Sequence, residues 1–335
     1  MAASRTRQLP LDRSLGLGLA SLGRPGYINL GHGGDLSGCG MDAMRENCWR
    51  VLDAAYARGI RWFDTARSYG EAEAFLSGWL QARGLHGKVT VSSKWGYTYT
   101  ANFQVDTGGA PHEVKEHSVS NLRAQTAQTL ALLGPSLALY QIHSATLESG
   151  VLRAADVLQE LERIKMTHGV CIGLSVTGTQ QAVVLREALQ VRMSGGRPLF
   201  DSVQATWNLL EQSAGEALLE AHTSGMRVIV KEGMANGRLT QRNSSSACAQ
   251  QLLVLQRVAE KYGVGTDAVA LAVVMLQPFQ PLVLSGASNA AQLGSNAEAV
   301  ALTDLLEASD VAELCSTLRQ PPAEYWQDRG KLAWC

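Results

Sequence analysis

Short apolar runs rich in Val, Ile and Leu alternate along this chain with longer segments of helical periodicity. The apolar runs are unbroken, which is typical of strands buried on both faces of a parallel sheet. The pattern predicts eight strands: Leu15–Ala20, Ile60–Asp64, Lys88–Lys94, Leu137–His143, Val170–Ser175, Asp201–Gln204, Arg227–Lys231 and Pro281–Ser285.

The segments between these runs predict helices, because apolar residues recur there at three- and four-residue spacing and glycine or Gly-Pro often follows. The predicted helices are Arg45–Arg58, Glu71–Arg83, Asn121–Leu133, Val157–Lys165, Thr179–Gln190, Ala214–Thr223 and Gln250–Tyr262. Eight strands alternating with helices, without a linker-like break, predict an α/β fold, a single (β/α)8 TIM-barrel domain over residues 1–335. The barrel is expected over about 15–310 and a C-terminal tail over 311–335.

Three connections are long enough to build a site. They are Ser21–Ala43, which is rich in glycine, Trp95–Ser118, which is polar and aromatic, and Glu232–Ala249, which contains three consecutive serines. Each follows a predicted strand, so all three are expected on the C-terminal face of the barrel, where sites are built in this fold.

Composition narrows the function. The 335 residues include 46% hydrophobic residues, which can fill a large core, and their formal net charge of −1 excludes a broad electrostatic attraction to nucleic acid or an anionic membrane. No apolar run reaches the ~18 residues that span a bilayer, and the first residues lack the apolar stretch of a secretory signal. A cytoplasmic protein is therefore predicted. The six cysteines are scattered without zinc-type spacing, which indicates buried thiols: Cys39, Cys48, Cys171, Cys248, Cys315 and Cys335.

Three successive predicted strands end on polar side chains, at Asp64, Lys94 and His143. Each alone has an ordinary interpretation: Asp64 as a helix N-cap, Lys94 as a surface lysine, and His143 as a hydrogen-bonded core histidine. Their equivalent positions favour a common site, because adjacent parallel strands bring their C-terminal ends together.

Tyr69 lies five residues beyond Asp64 and completes a possible proton donor. A free phenol has a pKa of about 10 and is a weak acid at neutral pH. We expect the Lys94 ammonium, held by Asp64, to lower that pKa, and His143 to hydrogen-bond a substrate oxygen. Such a group suits the reduction of a carbonyl.

The segments WFDTARSYGEAEAFLSGWL, SSKWG and LYQIH, in this order, resemble the aldo-keto reductase superfamily. The resemblance runs from about residue 15 to the C-terminus, and the superfamily's catalytic tetrad maps onto Asp64, Tyr69, Lys94 and His143. It implies a TIM barrel that uses NADP(H), with NAD(H) possible, to reduce a small aldehyde or ketone to an alcohol or to run the reverse oxidation.

A Gly-Ala-Ser turn after the last predicted strand leads into a helix start at Asn289–Gln292, where backbone N–H groups and the helix dipole suit a phosphate. The run VLSGASNAAQLGSN resembles the family's nucleotide-binding turn, particularly in the potassium-channel beta subunits. By this resemblance the adenosine and its 2′-phosphate would be contacted by Gly286, Ser288, Gln292 and Asn296.

The remaining cofactor contacts rest on the same resemblance. Ser175 and Gln204 match the carboxamide anchor. VIVKEGMANGRLT resembles the segment that folds over the pyrophosphate, which implicates Lys231, Gly233, Met234 and Gly237. Arg242, just beyond it, is expected either to contact a phosphate or to be a solvated loop charge.

Some positions depart from the family. Val176 replaces a common Asn, Lys231 replaces the usual aromatic residue that stacks on nicotinamide, and Gln292 replaces a common basic residue, which puts the preference for NADP(H) in question. Lys231 is expected either to lay its stem on the ring or to pair with Glu232. Candidate substrate-pocket residues are Tyr27, Trp95, Tyr97, Tyr99 and Phe103, with packing of the loop as the alternative for these aromatics, and Trp207 elsewhere in the pocket. The C-terminal segment PPAEYWQDRGKLAW is expected to pack on the barrel or line the pocket.

Other functions fit less well. GLGLAS lacks the third glycine of a Rossmann fingerprint, and no G-x-S-x-G elbow of a serine hydrolase occurs. A metal-dependent barrel hydrolase is disfavoured because Lys94 lies between the possible ligands Asp64 and His143. A nucleotide-binding redox sensor or regulatory subunit with little turnover, as resemblance to the channel subunits allows, is the alternative.

Overall fold

The structure is a computed structural model that describes residues 8–10, 14–243 and 249–335. Its strands are β1 (Ser14–Gly18), β2 (Trp62–Asp64), β3 (Thr90–Trp95), β4 (Tyr97–Tyr99), β5 (Glu113–Lys115), β6 (Leu137–Ala145), β7 (Cys171–Val176), β8 (Ser202–Thr206), β9 (Arg227–Lys231) and β10 (Leu282–Ser285). Eight of them close into a parallel barrel in the order β1-β10-β9-β8-β7-β6-β3-β2. The predicted barrel is confirmed, and each of the eight predicted strands overlaps one of its strands.

Helices cover the outside of the barrel. They are α1 (His32–Asp35), α2 (Met41–Ala57), α3 (Ala72–Arg83), α4 (Val119–Leu133), α5 (Ala155–His168), α6 (Gln181–Ala188), α7 (Gly215–Thr223), α8 (Ala249–Tyr262), α9 (Thr266–Met275), α10 (Ala290–Leu302), α11 (Ala308–Leu318) and α12 (Pro322–Gly330). Among the described residues, none of these helices has both the length and the apolar character that crossing a bilayer requires.

The structure adds elements that the sequence pattern did not predict. The long connection Trp95–Ser118 contains the antiparallel hairpin of β4 and β5, and the predicted tail 311–335 holds most of α11 and all of α12. Helix α9 was missed because Ala268–Met275 is apolar and buried all round, so no polar face marks its period. Residues 244–248 of the predicted loop Glu232–Ala249, Cys248 included, lie outside the described residues.

The core has two layers, one inside the barrel and one between the barrel and its helices. Trp62, Ile229 and Leu282 belong to a small apolar cluster of strand residues, whereas Phe63 faces the helices and packs on Trp79 of α3 with ring centroids 5.4 Å apart. Because side chains alternate along each strand, the same strands that fill the core also carry polar side chains to the C-terminal rim.

Candidate active site

A cleft of about 940 Å³ opens at the C-terminal ends of the barrel strands. We call its two regions the Tyr69 end, where Asp64, Tyr69 and His143 line the wall, and the Ser288 end, lined by Ser288 and Gln292. The strands' parallel register brings these residues to one rim, as predicted for this fold. Its volume is within the range of sites that hold small molecules and cofactors.

The Lys94 ammonium lies at the centre of the Tyr69 end. It donates hydrogen bonds to the Asp64 carboxylate, to the carbonyl oxygen of Thr65 at 3.0 Å and to the Tyr69 hydroxyl at 3.3 Å. The Lys94 side chain is fully buried. All three of its N–H donors therefore have acceptors, so the amine is held in one position beside the phenol.

The second carboxylate oxygen of Asp64 holds this ion pair in the barrel. Oδ1 accepts from Ser92 Oγ at 2.7 Å and from the amide nitrogens of Gln141 and Gln204, both at 3.2 Å. Register explains the arrangement, because Asp64 on β2 lies opposite Ser92 on β3, and Lys94 points to the same side two residues later. Strand geometry thus fixes the charge pair.

Tyr69 is held by a turn pressed against the loop after β1. The amide of Glu71 donates to the Gly23 carbonyl oxygen at 2.8 Å, and Gly70 has a left-handed φ of 59°. A Cβ added at Gly23 would lie 2.1 Å from the Tyr69 carbonyl oxygen. Glycine is required at position 23 because the two backbones approach so closely.

His143 on β6 packs edge-on against Tyr69, with ring centroids 5.6 Å apart, and against Tyr97 at 4.9 Å. Burial, the Lys94 ammonium and the Lys231 ammonium lower the pKa of His143 well below its ordinary value. Its imidazole is therefore neutral near pH 7, with one ring N–H available as a donor.

The pKa of Tyr69 is raised well above 10, by burial first and by the Asp64 carboxylate second. This direction corrects the expectation that Lys94 makes the phenol more acidic. The physical reason is that burial disfavours the phenolate and the Asp64 carboxylate repels it, and together these outweigh the nearby Arg24 cation. The resting phenol keeps its proton.

Lys231 and Glu232 form a charged group with Arg329 of α12. Lys231 Nζ donates to Thr206 Oγ1 at 2.8 Å and lies 3.8 Å from the Glu232 carboxylate, which accepts a bidentate pair from Arg329. Burial lowers the pKa of Lys231 to about 8. Burial opposes ionisation of Glu232, but Lys231 and Arg329 outweigh it and lower its pKa to about 2. Of the two expected arrangements of Lys231, the structure contains the pair with Glu232.

Arg24, which no sequence pattern indicates, lies in the glycine-rich loop and lines the Tyr69 end. Its guanidinium is 2% exposed and donates to the Ser68 carbonyl oxygen at 2.8 Å and to Glu113 at 2.9 Å. It also lies over the Trp334 ring, 4.7 Å from the centroid. The C-terminal segment thus both packs on the barrel and lines the cleft.

At the Ser288 end a turn joins β10 to helix α10. The Asn289 side chain caps the helix by accepting from the Gln292 amide at 3.0 Å, and Gln292 Oε1 accepts from the Ser288 amide at 2.8 Å. Asn47 donates to the Ser288 carbonyl oxygen at 2.7 Å, and His32 Nδ1 lies 3.2 Å from Ser288 Oγ. The turn is therefore held from both sides.

The loops after β1 and β9 meet across this end of the cleft. Arg242 donates to both oxygens of Asp35, at 2.6 and 2.5 Å, and to the Leu30 carbonyl oxygen at 3.1 Å. The Leu30 amide donates to the Asn236 carbonyl oxygen at 3.0 Å. The sequence had suggested a phosphate partner for Arg242, but its guanidinium is paired with a carboxylate.

The cleft brings together most of the predicted site residues: Asp64, Tyr69, His143, Gln204, Lys231, Gly233, Met234, Gly237, Arg242, Gly286, Ser288, Gln292 and Asn296 all line it. Lys94 and Ser175 are buried behind the wall, where Ser175 Oγ accepts from the Ser144 amide at 2.8 Å. These contacts leave their predicted cofactor roles as proposals.

The aromatic residues predicted for the substrate pocket are mostly elsewhere. Tyr27 lines the cleft, and Tyr97 contacts His143. Trp95 and Trp207 are in the core, and the Tyr99 hydroxyl accepts from the Phe103 amide within their own loop. Trp95 and Trp207 pack in the barrel core, so the prediction was wrong for these two, whereas Tyr99 and Phe103 adopt the alternative of packing within the loop. Apart from Arg24, the cleft residues it missed include Asp35, Glu113, Arg329 and Trp334.

The shape and donors of the cleft fit a dinucleotide. It extends from Tyr69 to the N-terminal end of α10, and a Cβ added at Gly286 would meet no atom within 4 Å, so the backbone there is accessible to a ligand. Asn236 also lines the cleft, and its buried Oδ1 has no hydrogen-bond partner among the described residues. These groups suit phosphates and ribose hydroxyls. Within the described residues, no cluster of His, Cys, Asp and Glu could hold a metal ion.

Comparison with known proteins agrees with this geometry. A model of the aldo/keto reductase family matches residues 15–318. The chain is 24% identical over 283 residues to a probable aryl-alcohol dehydrogenase of Saccharomyces cerevisiae, covering 77% of this chain and 84% of that protein.

It is also 25% identical over 286 residues to a D-threo-aldose 1-dehydrogenase of a Pseudomonas species, with 77% of this chain and 84% of that protein covered. The structure of a glycerol dehydrogenase from Gluconobacter oxydans has a TM-score of 0.68 at 21% identity, covering 95% of this chain and 96% of that one. The match to another curated relative spans about half of that protein, 49% of its length.

Proposed function

Because this chain belongs to the aldo/keto reductase family and is therefore an oxidoreductase, we propose that it reduces an aldehyde or ketone to an alcohol with a nicotinamide dinucleotide. The observation that carries this proposal is the Lys94 amine 3.3 Å from the Tyr69 hydroxyl, beside His143, in a cleft long enough for the cofactor. The reverse oxidation uses the same groups.

The roles of the side chains follow from their charges. When bound, the reduced dinucleotide supplies the hydride that the carbonyl carbon accepts. Tyr69 donates its proton to the carbonyl oxygen, and Lys94 stabilises the phenolate that remains. The neutral imidazole of His143 donates a hydrogen bond that orients the carbonyl. Asp64 acts through Lys94, which it holds in place.

The raised pKa of Tyr69 keeps the phenol protonated, which is the form that reduction uses. A phenol that keeps its proton is ready to donate it as the carbonyl oxygen gains negative charge. Oxidation of an alcohol needs the phenolate as the base, and burial makes that form scarce.

We assign the predicted cofactor residues to successive parts of the dinucleotide; all of them line the cleft except Ser175, which is buried behind its wall. Ser175 and Gln204 would hold the carboxamide, the segment with Gly233, Met234 and Gly237 would cover the pyrophosphate, and the turn from Gly286 to Gln292 would hold the adenosine. Resemblance to the channel subunits favours NADP(H), and NAD(H) fits the same turn.

The polar wall at the Tyr69 end favours a hydroxylated carbonyl substrate. The similar proteins are named as dehydrogenases of an aryl alcohol, an aldose and glycerol. The ion pairs of Arg24 with Glu113 and of Glu232 with Arg329 line this end of the cleft, and charged groups of this kind bind sugar or polyol hydroxyls better than an aryl ring.

The test is the oxidation of NADPH and of NADH by the purified chain with a panel of aldoses, small hydroxyaldehydes and aryl aldehydes. Replacing Tyr69 with Phe should lower kcat/KM by about 10²–10⁴-fold, the usual contribution of a general acid, without changing the Kd of the cofactor. Tyr97→Phe is the matched control, because that ring also packs on His143 but has no contact with Lys94 in the structure.

Two results would count against the proposal. Equal losses in the two variants would show that Tyr69 is not the proton donor. A wild-type chain that binds NADPH tightly but reduces no carbonyl in the panel would favour the redox-sensor alternative.

A further inference from the structure

We propose that Asp35 makes this cleft select against a phosphate on the 2′ position of the adenosine ribose, so that the chain binds NAD(H) at least as tightly as NADP(H). The inference rests on the proposed function, because it concerns the cofactor of that same site. It assigns a specificity-determining role to a side chain in the loop after β1.

The guanidinium that would bind a 2′-phosphate is already paired. Both Nη groups of Arg242 donate hydrogen bonds to the Asp35 carboxylate, at 2.6 and 2.5 Å. One of them also donates to the Leu30 carbonyl oxygen. Bidentate pairing of this kind is the same geometry by which arginine binds phosphate. A phosphate would therefore have to compete with a carboxylate that is already in place.

The Ser288 end as a whole, with the Asp35–Arg242 pair included, carries a negative net charge. Among the described residues that line it, three carboxylates, Asp35, Glu260 and Asp267, stand against one cation, Arg242, which gives a local charge of −2. Asp267 accepts from Asn296 at 2.6 Å, which keeps the carboxylate at the turn. The carboxylates at this end repel a phosphate dianion, which weakens the binding of a ligand with a 2′-phosphate.

The other polar side chains near the turn do not restore a positive charge. Gln292 is neutral, and burial lowers the pKa of His32 to about 4, so that imidazole is uncharged near pH 7. A ribose with a free 2′-hydroxyl is favoured instead, because a carboxylate can accept a hydrogen bond from that hydroxyl. Acidic side chains commonly bind the ribose of NAD in this way.

The same ion pair also joins two loops, so a purely structural role has to be distinguished from selection. Asp35 ends the short helix α1 in the connection after β1, and Arg242 lies in the loop after β9, 207 residues away. If the pair only holds the loops over the ligand, its loss weakens both dinucleotides alike. If it selects, its loss changes their ratio.

The experiment measures Kd values for NADPH, NADH, 2′,5′-ADP and 5′-AMP on the full chain by calorimetry or fluorescence, without turnover. The wild type should bind NADH at least as tightly as NADPH. Asp35→Asn removes the charge at constant size and should tighten NADPH and 2′,5′-ADP by about tenfold, while NADH and 5′-AMP change by less than about threefold. Adding Arg242→Met should abolish the gain.

Asp53→Asn is the matched control. Asp53 makes a similar bidentate pair with Arg83, at 3.1 and 2.9 Å, but lies outside the cleft, so all four Kd values should be unchanged.

The inference is overturned if the wild type binds NADPH about tenfold or more tightly than NADH, a result that needs no variant. Parallel changes in both dinucleotides on Asp35→Asn would also overturn it, in favour of the structural role. Binding without carbonyl turnover would contradict the proposed function alone. If the wild type binds neither dinucleotide, both proposals fail.

Discussion

The two ends of the cleft differ in how their charges are arranged and held. Among the described residues of the Tyr69 end, four cationic side chains face three carboxylates: Arg24, Lys94, Lys231 and Arg329 against Asp64, Glu113 and Glu232. Among the described residues that line the Ser288 end, carboxylates outnumber cations by three to one. The central pair of the Tyr69 end is on strands and is buried, whereas that of the Ser288 end joins two loops, and its arginine is 43% exposed.

This difference separates positioning from selection. Proton transfer needs donors fixed to within fractions of an ångström, and buried pairs on neighbouring strands provide that precision. Recognition of a cofactor requires differences in affinity, which charges on loops provide at smaller structural cost. If the two ends differ in this way, substitutions at the Tyr69 end should change stability and kcat, whereas those at the Ser288 end should change cofactor affinity.

The largest expected effect is on stability at the Tyr69 end. Asp64→Asn leaves the Lys94 ammonium buried without a counter-charge, and loss of one partner of such a pair lowers the free energy of unfolding by about 3–5 kcal/mol. The same change at Asp35 should cost less than about 1 kcal/mol, because water can solvate the Arg242 guanidinium. Urea denaturation measures the free energy of unfolding of both variants. Similar losses at the two positions would contradict the difference between the two ends.

The next effect tests whether backbone packing positions Tyr69. Gly23→Ala places a methyl 2.1 Å from the Tyr69 carbonyl oxygen, so the turn must shift, at a cost of about 1–3 kcal/mol in stability. We expect kcat to fall by about tenfold or more, because the phenol moves relative to the carbonyl, while the Kd of the cofactor stays the same.

Gly34→Ala is the control for this change. It lies in the same long connection, and an added Cβ would meet no atom within 4 Å. If both alanine variants lose the same activity, the close contact between Gly23 and the Tyr69 turn has no catalytic importance.

The residues at the strand ends could be predicted from register and several loop positions from the family resemblance, whereas the ion pairs between loops could not be predicted. Asp64, Lys94 and His143 end predicted strands, and parallel register alone brings such residues together. Arg24, Arg329 and their partners come from loops and the C-terminal segment. Glu232 and Arg329 are 97 residues apart, and no periodicity relates positions so distant in the chain.

The wrong direction for the Tyr69 pKa has a similar origin. The sequence identifies some of the charges near the phenol, but the sign of the shift depends on burial and on how closely each carboxylate and cation approaches the hydroxyl. Both are properties of the packed structure. Helix α9 shows the same limit for secondary structure, since a helix buried on all sides carries no amphipathic pattern.

The smallest effect is a pH dependence confined to the Tyr69 end. The pKa of Lys231 is lowered to about 8 by burial, so its amine is charged below pH 8 and loses its proton as the pH rises through that value. Over pH 7–9 the phenol of Tyr69, whose pKa is raised, and the imidazole of His143, whose pKa is lowered, keep one protonation state. We expect kcat/KM for a hydroxylated carbonyl to fall several-fold across this range as the Lys231 ammonium, a hydrogen-bond donor in the cleft wall, is lost.

Lys231→Met should have a lower kcat/KM at pH 7 that no longer falls towards pH 9, whereas Lys261→Met should keep the wild-type profile. Lys261 is the matched control because Asp310 and Glu307 on the outer surface raise its pKa, so it stays charged throughout. Binding of 5′-AMP should not change over the same range, because phosphate is already dianionic above pH 7 and Lys231 lies at the other end of the cleft. If kcat/KM of Lys231→Met still falls between pH 7 and 9, the titrating group is not Lys231. If 5′-AMP binding weakens over the same range, the two ends of the cleft respond to pH together, which contradicts their proposed separation.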